Sequence, residues 1–449
     1  MKKVRKHRRD NFQEYILMAL LKKGPSSLKE LEERTFAFVY HFHGFGYSLH
    51  KEVEKKVFGF LSRFGRKPQE DYSEKMKKWL EKHEQQIDVQ LECRRLIENG
   101  MLRLNEENKY ELTEKGKEEA EKSIKEMERA ANSVRNQLLS PTAAARNTVI
   151  ADFFLAVMKL LAGFFSASVG LIADGADAAI DTVSASVVWA GIKFKREFLG
   201  TLIIISMMFI TALSVGYESI TKIIEALTAT IPPISMPYLV IAVEGIALVA
   251  AAVLHFYQRY VGKNNGSLAL ISQSIDSKNH IYVAAAVIIG AVFSIFGIHF
   301  VDALIGAFVA IRIFIDGFGL SKEAFSSIKG EETDFSKYEI PFERQWRLNK
   351  LETFKTWILY LIKEDNLSAK EELVSSLERT FKWKYTPTLS GFRFGIGEGF
   401  DFEKEFDNLI KPLLEENFII KKGENFFLTE EGKSRVDRIF KSIRYHQSE

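Results

Sequence analysis

Residues 170–191 read GLIADGADAAIDTVSASVVWAG, and residues 267–293 read SLALISQSIDSKNHIYVAAAVIIGAVF. Both stretches are too long and too apolar for the core helices of a soluble domain, because about 20 mostly apolar residues match a hydrocarbon layer of roughly 30 Å. Yet each carries ionisable side chains at helical spacing. Asp174, Asp177 and Asp181 fall at i, i+3 and i+7, on one helix face, and Asp276 and His280 fall at i and i+4, again on one face. A charge inside such a helix costs several kcal/mol unless something compensates it, so these groups are functional candidates. Two pairs, Asp177 with Asp181 and Asp276 with His280, supply four metal ligands around a point. Oxygen and imidazole donors in that number suit a tetrahedral Zn²⁺-like ion. They also suit Fe²⁺, Mn²⁺ or Co²⁺, among which geometry decides. Asp174 lies near its segment's end, where capping is as good a reading as ligation.

Outward from these two stretches, six apolar segments are expected near 149–167, 170–193, 198–221, 236–258, 268–296 and 300–319. Lys193, Lys195 and Arg196 follow the second, and Arg259 and Lys263 lie between the fourth and fifth, whereas the connections after the first and fifth carry no charge. Lys and Arg favour the cytoplasmic side, which puts both chain termini in the cytoplasm of a multi-pass cell-membrane protein. The mean hydropathy is near zero only because polar ends balance an apolar middle. The net charge is +7 over 1–146 and −2 in each of 147–320 and 321–449. The +7 originates in residues 1–9, MKKVRKHRR, a stretch expected to be a disordered tail or a phosphate-seeking arm. No apolar segment follows it closely enough for a signal peptide. The single cysteine, Cys93, excludes an intrachain disulfide, a cysteine-based zinc knuckle and a redox pair, and reads as a small core residue.

The middle of the chain resembles the cation diffusion facilitator family. The stretch DFFLAVMKLLAGFFSASVGLIADG (152–175) is similar to that family's first helix running into its second, with Lys159 at a frequent mid-helix Lys. Asp177 and Asp181 match the family's paired ligands on helix two, and Asp276 and His280 match the pair on helix five. YES (217–219) and Asp302 are supporting matches. The resemblance covers about 149–330. It departs in two ways: the helix-five pair reads DxxxH rather than HxxxD or DxxxD, and no small cytoplasmic α+β domain follows residue 320. It implies a homodimer that exports a divalent cation, zinc foremost with iron, manganese, cobalt and cadmium as alternatives, in exchange for protons. The cation is then cargo, no cofactor is implied, and no covalent chemistry marks an enzyme.

The two ends repeat one another. EYILMALLKKGPSSLKELEERTF (14–36) and LIENGMLRLNEENKYELTEKGKEEAEKSI (96–124) correspond in order to FKTWILYLIKEDNLSAKEELVSSLERTF (354–381) and LLEENFIIKKGENFFLTEEGKSRVDRIFKSI (413–443), sharing ERTF and LTE-x-GK. Each copy reads as helix, short helix, insertion, longer helix, two-stranded wing and final helix, and resembles a winged helix. The expected fold is therefore a mainly α membrane protein. A six-helix transport domain (147–330) stands between two cytoplasmic α+β winged-helix-like domains (1–146 and 331–449). Asp401, Glu403, Glu405, Asp407 and Glu415 make the C-terminal third helix acidic, which opposes specific nucleic-acid binding and favours a protein contact. Phe42, Phe45, Tyr47, Phe392, Phe394 and Phe400 supply apolar surface for one, while His41, His43 and His50 read as loop histidines rather than a metal site. The competing reading is a membrane-bound metal-sensing regulator whose end domains bind DNA or protein.

Overall fold

A computed structural model describes residues 2–32, 88–166, 169–228, 236–296, 301–329, 333–381, 395–397 and 399–444. The chain divides into two compact units, one of Arg135–Ile340 and one formed by Met1–Val134 with Pro341–Glu449.

The first unit is a bundle of six long helices: α4 (Pro141–Ser166), α5 (Val169–Lys193), α6 (Glu197–Thr228), α7 (Pro237–Asn265), α8 (Leu268–Ile295) and α9 (Val301–Ile328). Among the described residues, five are long and apolar enough to cross a membrane; α5, of similar length, has Asp174, Asp177 and Asp181 along it. Burial in the bundle is inverted relative to a water-soluble protein. Phe153, Phe154, Ile180, Leu213, Val249, Val253, Phe308 and Ile311 face outward. Lys159, Glu244, His255, Gln258, Gln273 and Asn279 are buried. An apolar exterior around a polar interior is the arrangement that hydrocarbon solvent favours, and this is a membrane protein.

The connections cluster at one end of the bundle. Ser267, before α8, donates to Glu197, at the start of α6, at 2.8 Å. Asn265 donates to the Leu139 carbonyl at 3.1 Å, ahead of α4. Arg259 donates to the Tyr338 carbonyl at 2.9 Å, beyond α9. Entry to and exit from the bundle thus share an end with the turns that hold Lys195, Arg196 and Lys263. The Tyr338 hydroxyl at this end is pushed up from its usual range by burial and by its hydrogen bond to Glu323.

The second unit holds both ends of the chain. Its N-terminal copy has α1 (Lys2–Lys23), α2 (Val89–Glu98), a hairpin of β1 (Leu102–Leu104) and β2 (Tyr110–Leu112), and α3 (Glu114–Gln137). The C-terminal copy has α10 (Pro341–Glu364), α11 (Lys370–Phe381), α12 (Phe402–Glu415), a hairpin of β3 (Ile419–Lys422) and β4 (Asn425–Leu428), and α13 (Glu430–Arg444). The shared LTE-x-GK has the same physical basis in both. The Thr113 hydroxyl donates to the Gly100 carbonyl, and Thr429 to that of Asn417. Each threonine Oγ1 in turn accepts from the glycine amide three residues on, Gly116 or Gly432, closing the first turn of the final helix. A Cβ at Gly116 would lie 2.0 Å from the Met101 carbonyl oxygen, and one at Gly432 would lie 2.1 Å from that of Phe418. Only glycine lets the strand pass this close. Each copy also closes its wing with a third strand-like contact: Tyr110 donates to Ser26 at 2.8 Å and Phe426 to Ser368 at 2.9 Å. The aromatic insertions and His41, His43 and His50 lie outside the described residues, apart from Phe400, which packs on Phe354 and Phe402.

The basic stretch at the N-terminus departs from its expected disorder, because it continues directly into α1 from Lys2. Lys and Arg are good helix formers, and the apolar run Tyr15–Leu20 anchors the helix in its core. In the same core, burial and then Glu32, Glu92 and Asp88 push the Cys93 thiol up to about 12. Cys93 in the folded protein is therefore expected to resist maleimide at pH 8 and to react promptly once guanidinium unfolds the core, since a free thiol ionises near 8.5. Rapid labelling of the folded protein, followed by mass spectrometry, counts against this core.

Candidate metal centre

Helix α5 presents Asp177 and Asp181 one turn apart, and α8 presents Asp276 and His280 one turn apart. The two helices approach each other in the bundle. Nε2 of His280 stands 3.5 Å from Oδ2 of Asp181 on the facing helix and 3.6 Å from Oδ2 of Asp276 on its own. Two ligands bound at about 2.0–2.1 Å in a tetrahedral shell lie about 3.3–3.4 Å apart. The observed separations are within a few tenths of an ångström of such edges. Asp177 is one turn from Asp181 and within its electrostatic reach. The arrangement is open rather than closed: among the described residues no three His, Cys, Asp or Glu side chains converge tightly enough to enclose an ion, and the His280 side chain is 38% exposed. The structure therefore brings Asp181, Asp276 and His280 together, with Asp177 at the edge of the group. The side chains of Asp174 and Asp302 lie outside the described residues.

Three features around this group are not evident from spacing along one helix. Lys159 on α4 lies 3.0 Å from Glu244 on α7, with side chains only 11% and 2% exposed. Lys278 on α8 lies 2.6 Å from Asp316 on α9. A chain of hydrogen bonds then crosses three helices: Ser277 donates to Gln258 at 2.8 Å, and Gln258 donates to Thr148 at 2.9 Å. Each needs the helix packing to be known, since the partners are 19 to 110 residues apart. Asp152 on α4 is the fourth ionisable group near the centre, within electrostatic reach of Asp181, Asp276 and His280. An aspartate close to the start of an apolar segment gives no such signal in the sequence.

Two curated relatives share the same stretch. An uncharacterized transporter of Methanocaldococcus jannaschii is 23% identical over 180 residues, which cover 37% of this chain and 62% of that protein. Magnetosome protein MamB of Magnetospira sp. (strain QH-2) is 26% identical over 173 residues, which cover 35% of this chain and 57% of that protein. The chain thus spans about three-fifths of the length of each of these relatives. Residues 147–328, which contain all six bundle helices from just after the start of α4, match the cation efflux transmembrane domain, a family of transporters rather than enzymes.

Proposed function

We propose that this protein moves a divalent transition-metal cation out of the cytoplasm in exchange for protons, zinc being the best-suited cargo. The observation that carries the proposal is the His280 imidazole held 3.5 Å from Asp181 and 3.6 Å from Asp276 between two helices of a cation efflux domain. The ligand set is Asp177, Asp181, Asp276 and His280. Metal binding needs ionised aspartates and neutral imidazole, so protons compete with metal for the same atoms. A site opened to the more acidic side releases its ion, and helix movement exposes it to each side in turn. All six helices span the bilayer in this reading, α5 included, because its carboxylates face the site and not lipid. The basic loops at the connection-rich end set that end, and both termini, in the cytoplasm.

The two ends are winged helices in this reading, and their role is to hold a homodimer together on the cytoplasmic side. Both are gathered into one compact unit, with Lys29 of one copy 3.2 Å from Asp365 of the other. On α12, the exposed Glu403, Asp407 and Glu415 outnumber the exposed Lys404 and Lys411 while Phe402, Phe406 and Leu409 are buried, so the outward face offers no basic patch to a phosphate backbone.

The test is uptake into sealed inverted vesicles with an imposed proton gradient. Wild-type protein is expected to accumulate Zn²⁺ and to stop when the gradient is collapsed. His280→Asp, an all-oxygen set, is expected to shift preference toward Mn²⁺ by about tenfold or more, since imidazole suits zinc and carboxylates suit harder ions. An unchanged Zn²⁺/Mn²⁺ ratio removes His280 from selectivity, and wild-type vesicles that accumulate no divalent metal defeat the transporter reading.

A further inference from the structure

We propose that Asp152, on the first helix of the bundle, is a further carboxylate ligand of the transported cation, so that three helices rather than two hold it. The proposal rests on the metal-site reading above and deepens it. It stands on where the face of α4 is fixed. Thr148, Asp152 and Lys159 lie within about 40° of one another around that helix, at 100° per residue. The outer two have assigned interior partners. Thr148 is buried and accepts from Gln258 of α7 at 2.9 Å, while Lys159 is buried against Glu244 of the same helix. Asp152 lies between them on the same inward face.

Depth follows from the same hydrogen bonds. Gln258 joins Thr148 of α4 to Ser277 of α8, which places these two residues at one level within the span of a single glutamine side chain. Consecutive bundle helices are joined by short connections and reverse direction, so α4 and α8 run the same way. One turn further along each stand Asp152 and His280. The two groups therefore enter the same layer of the bundle from parallel helices, and Asp152 acts electrostatically on His280, Asp181 and Asp276 together. An independent feature of the same α8 face is Gln273, one turn before Asp276. It is 3% exposed, and neither of its amide atoms has a hydrogen-bond partner among the described residues. A polar side chain so buried and unsatisfied is costly in a dry interior and suits a path along which a cation or its water passes.

The consequence is chemical. Asp152, Asp177, Asp181 and Asp276 with His280 offer five donors, four of them carboxylates. That number exceeds a tetrahedral shell and accommodates ions that accept five or six oxygen-rich ligands, such as Co²⁺, Fe²⁺ and Mn²⁺, alongside Zn²⁺.

Cobalt reports both affinity and coordination number. Purified full-length protein in detergent is titrated with Co²⁺ while its visible absorption is recorded, for wild type, Asp152→Asn, Asp152→Glu and Asp181→Asn. The expected result is a loss of Co²⁺ affinity of about tenfold or more in Asp152→Asn. The remaining bound cobalt should show stronger visible bands, as a lower coordination number dictates. Asp152→Glu, which keeps the carboxylate, should stay closer to wild type and keeps the test readable if the asparagine variant does not fold. Wild-type affinity and spectrum in Asp152→Asn, with binding lost in Asp181→Asn, overturn the role of Asp152 alone. A glutamate variant that binds no better than the asparagine one reduces Asp152 to a structural residue and also overturns it. Wild-type binding in Asp181→Asn overturns the underlying site instead.

Discussion

Asp181→Ala abolishes metal accumulation in sealed vesicles while leaving the protein inserted and folded, with transport down by at least about 100-fold. Asp181 on α5 stands 3.5 Å from the α8 imidazole, so it joins these two helices at the site. Loss of mere supporting groups around a bound metal costs about 10–100-fold, and a direct ligand is worth more. Folding stays intact because an aspartate inside an apolar helix is a liability for insertion, and alanine removes it. Asp177→Ala is expected to be milder, because Asp177 stands one turn along α5 from Asp181, at the edge of the group. Size-exclusion profiles and surface expression separate transport loss from misfolding. Vesicle transport by Asp181→Ala at even a tenth of the wild-type rate takes Asp181 out of the first coordination shell.

The sequence showed a good deal of this architecture, and the gaps have physical causes. Each expected apolar segment overlaps one bundle helix, but several helices run well past their segments. Helix α4 starts at Pro141, with the Ser140 hydroxyl accepting from the Ala143 amide at 3.3 Å, eight residues before the apolar run begins. Helix α7 continues to Asn265 and α9 to Ile328, past the apolar residues that marked them. Hydropathy reports where lipid would contact a helix, whereas the backbone hydrogen-bond ladder extends into water. The four candidate ligands were legible because i, i+4 pairs announce themselves within one helix. Asp152, Glu244 and Gln258 were not, since none of them forms an i, i+4 pair of ligand-type side chains on its own helix. The LTE-x-GK repeat was readable as letters, and its cause emerged only with the carbonyls of Met101 and Phe418 pressed against the glycines.

Lys159→Met and Glu244→Gln, made singly, each destabilise the bundle strongly, while the double variant recovers most of the loss. The pair is 3.0 Å apart between α4 and α7, and both side chains are almost entirely withdrawn from solvent. Breaking a buried pair by removing one partner typically costs about 3–5 kcal/mol, because the survivor keeps its charge without its counter-charge. Replacing both removes the desolvation cost along with the attraction, so the double variant approaches wild type. At about 2–4 °C per kcal/mol for a unit of this size, each single variant melts roughly 10 °C lower in detergent. The two singles also differ in sign at the metal centre. Lys159 acts electrostatically on Asp181, so its loss leaves the site more negative and tightens cation binding, whereas loss of Glu244 leaves Lys159 uncompensated and weakens it. Thermal unfolding followed by tryptophan fluorescence and a Co²⁺ titration of the same samples give both readouts. Single variants that melt within about 2 °C of wild type, or a double variant no more stable than either single, show that the pair does not hold α4 against α7. Cation affinities that move in the same direction in both singles show that Lys159 does not set the potential at Asp181.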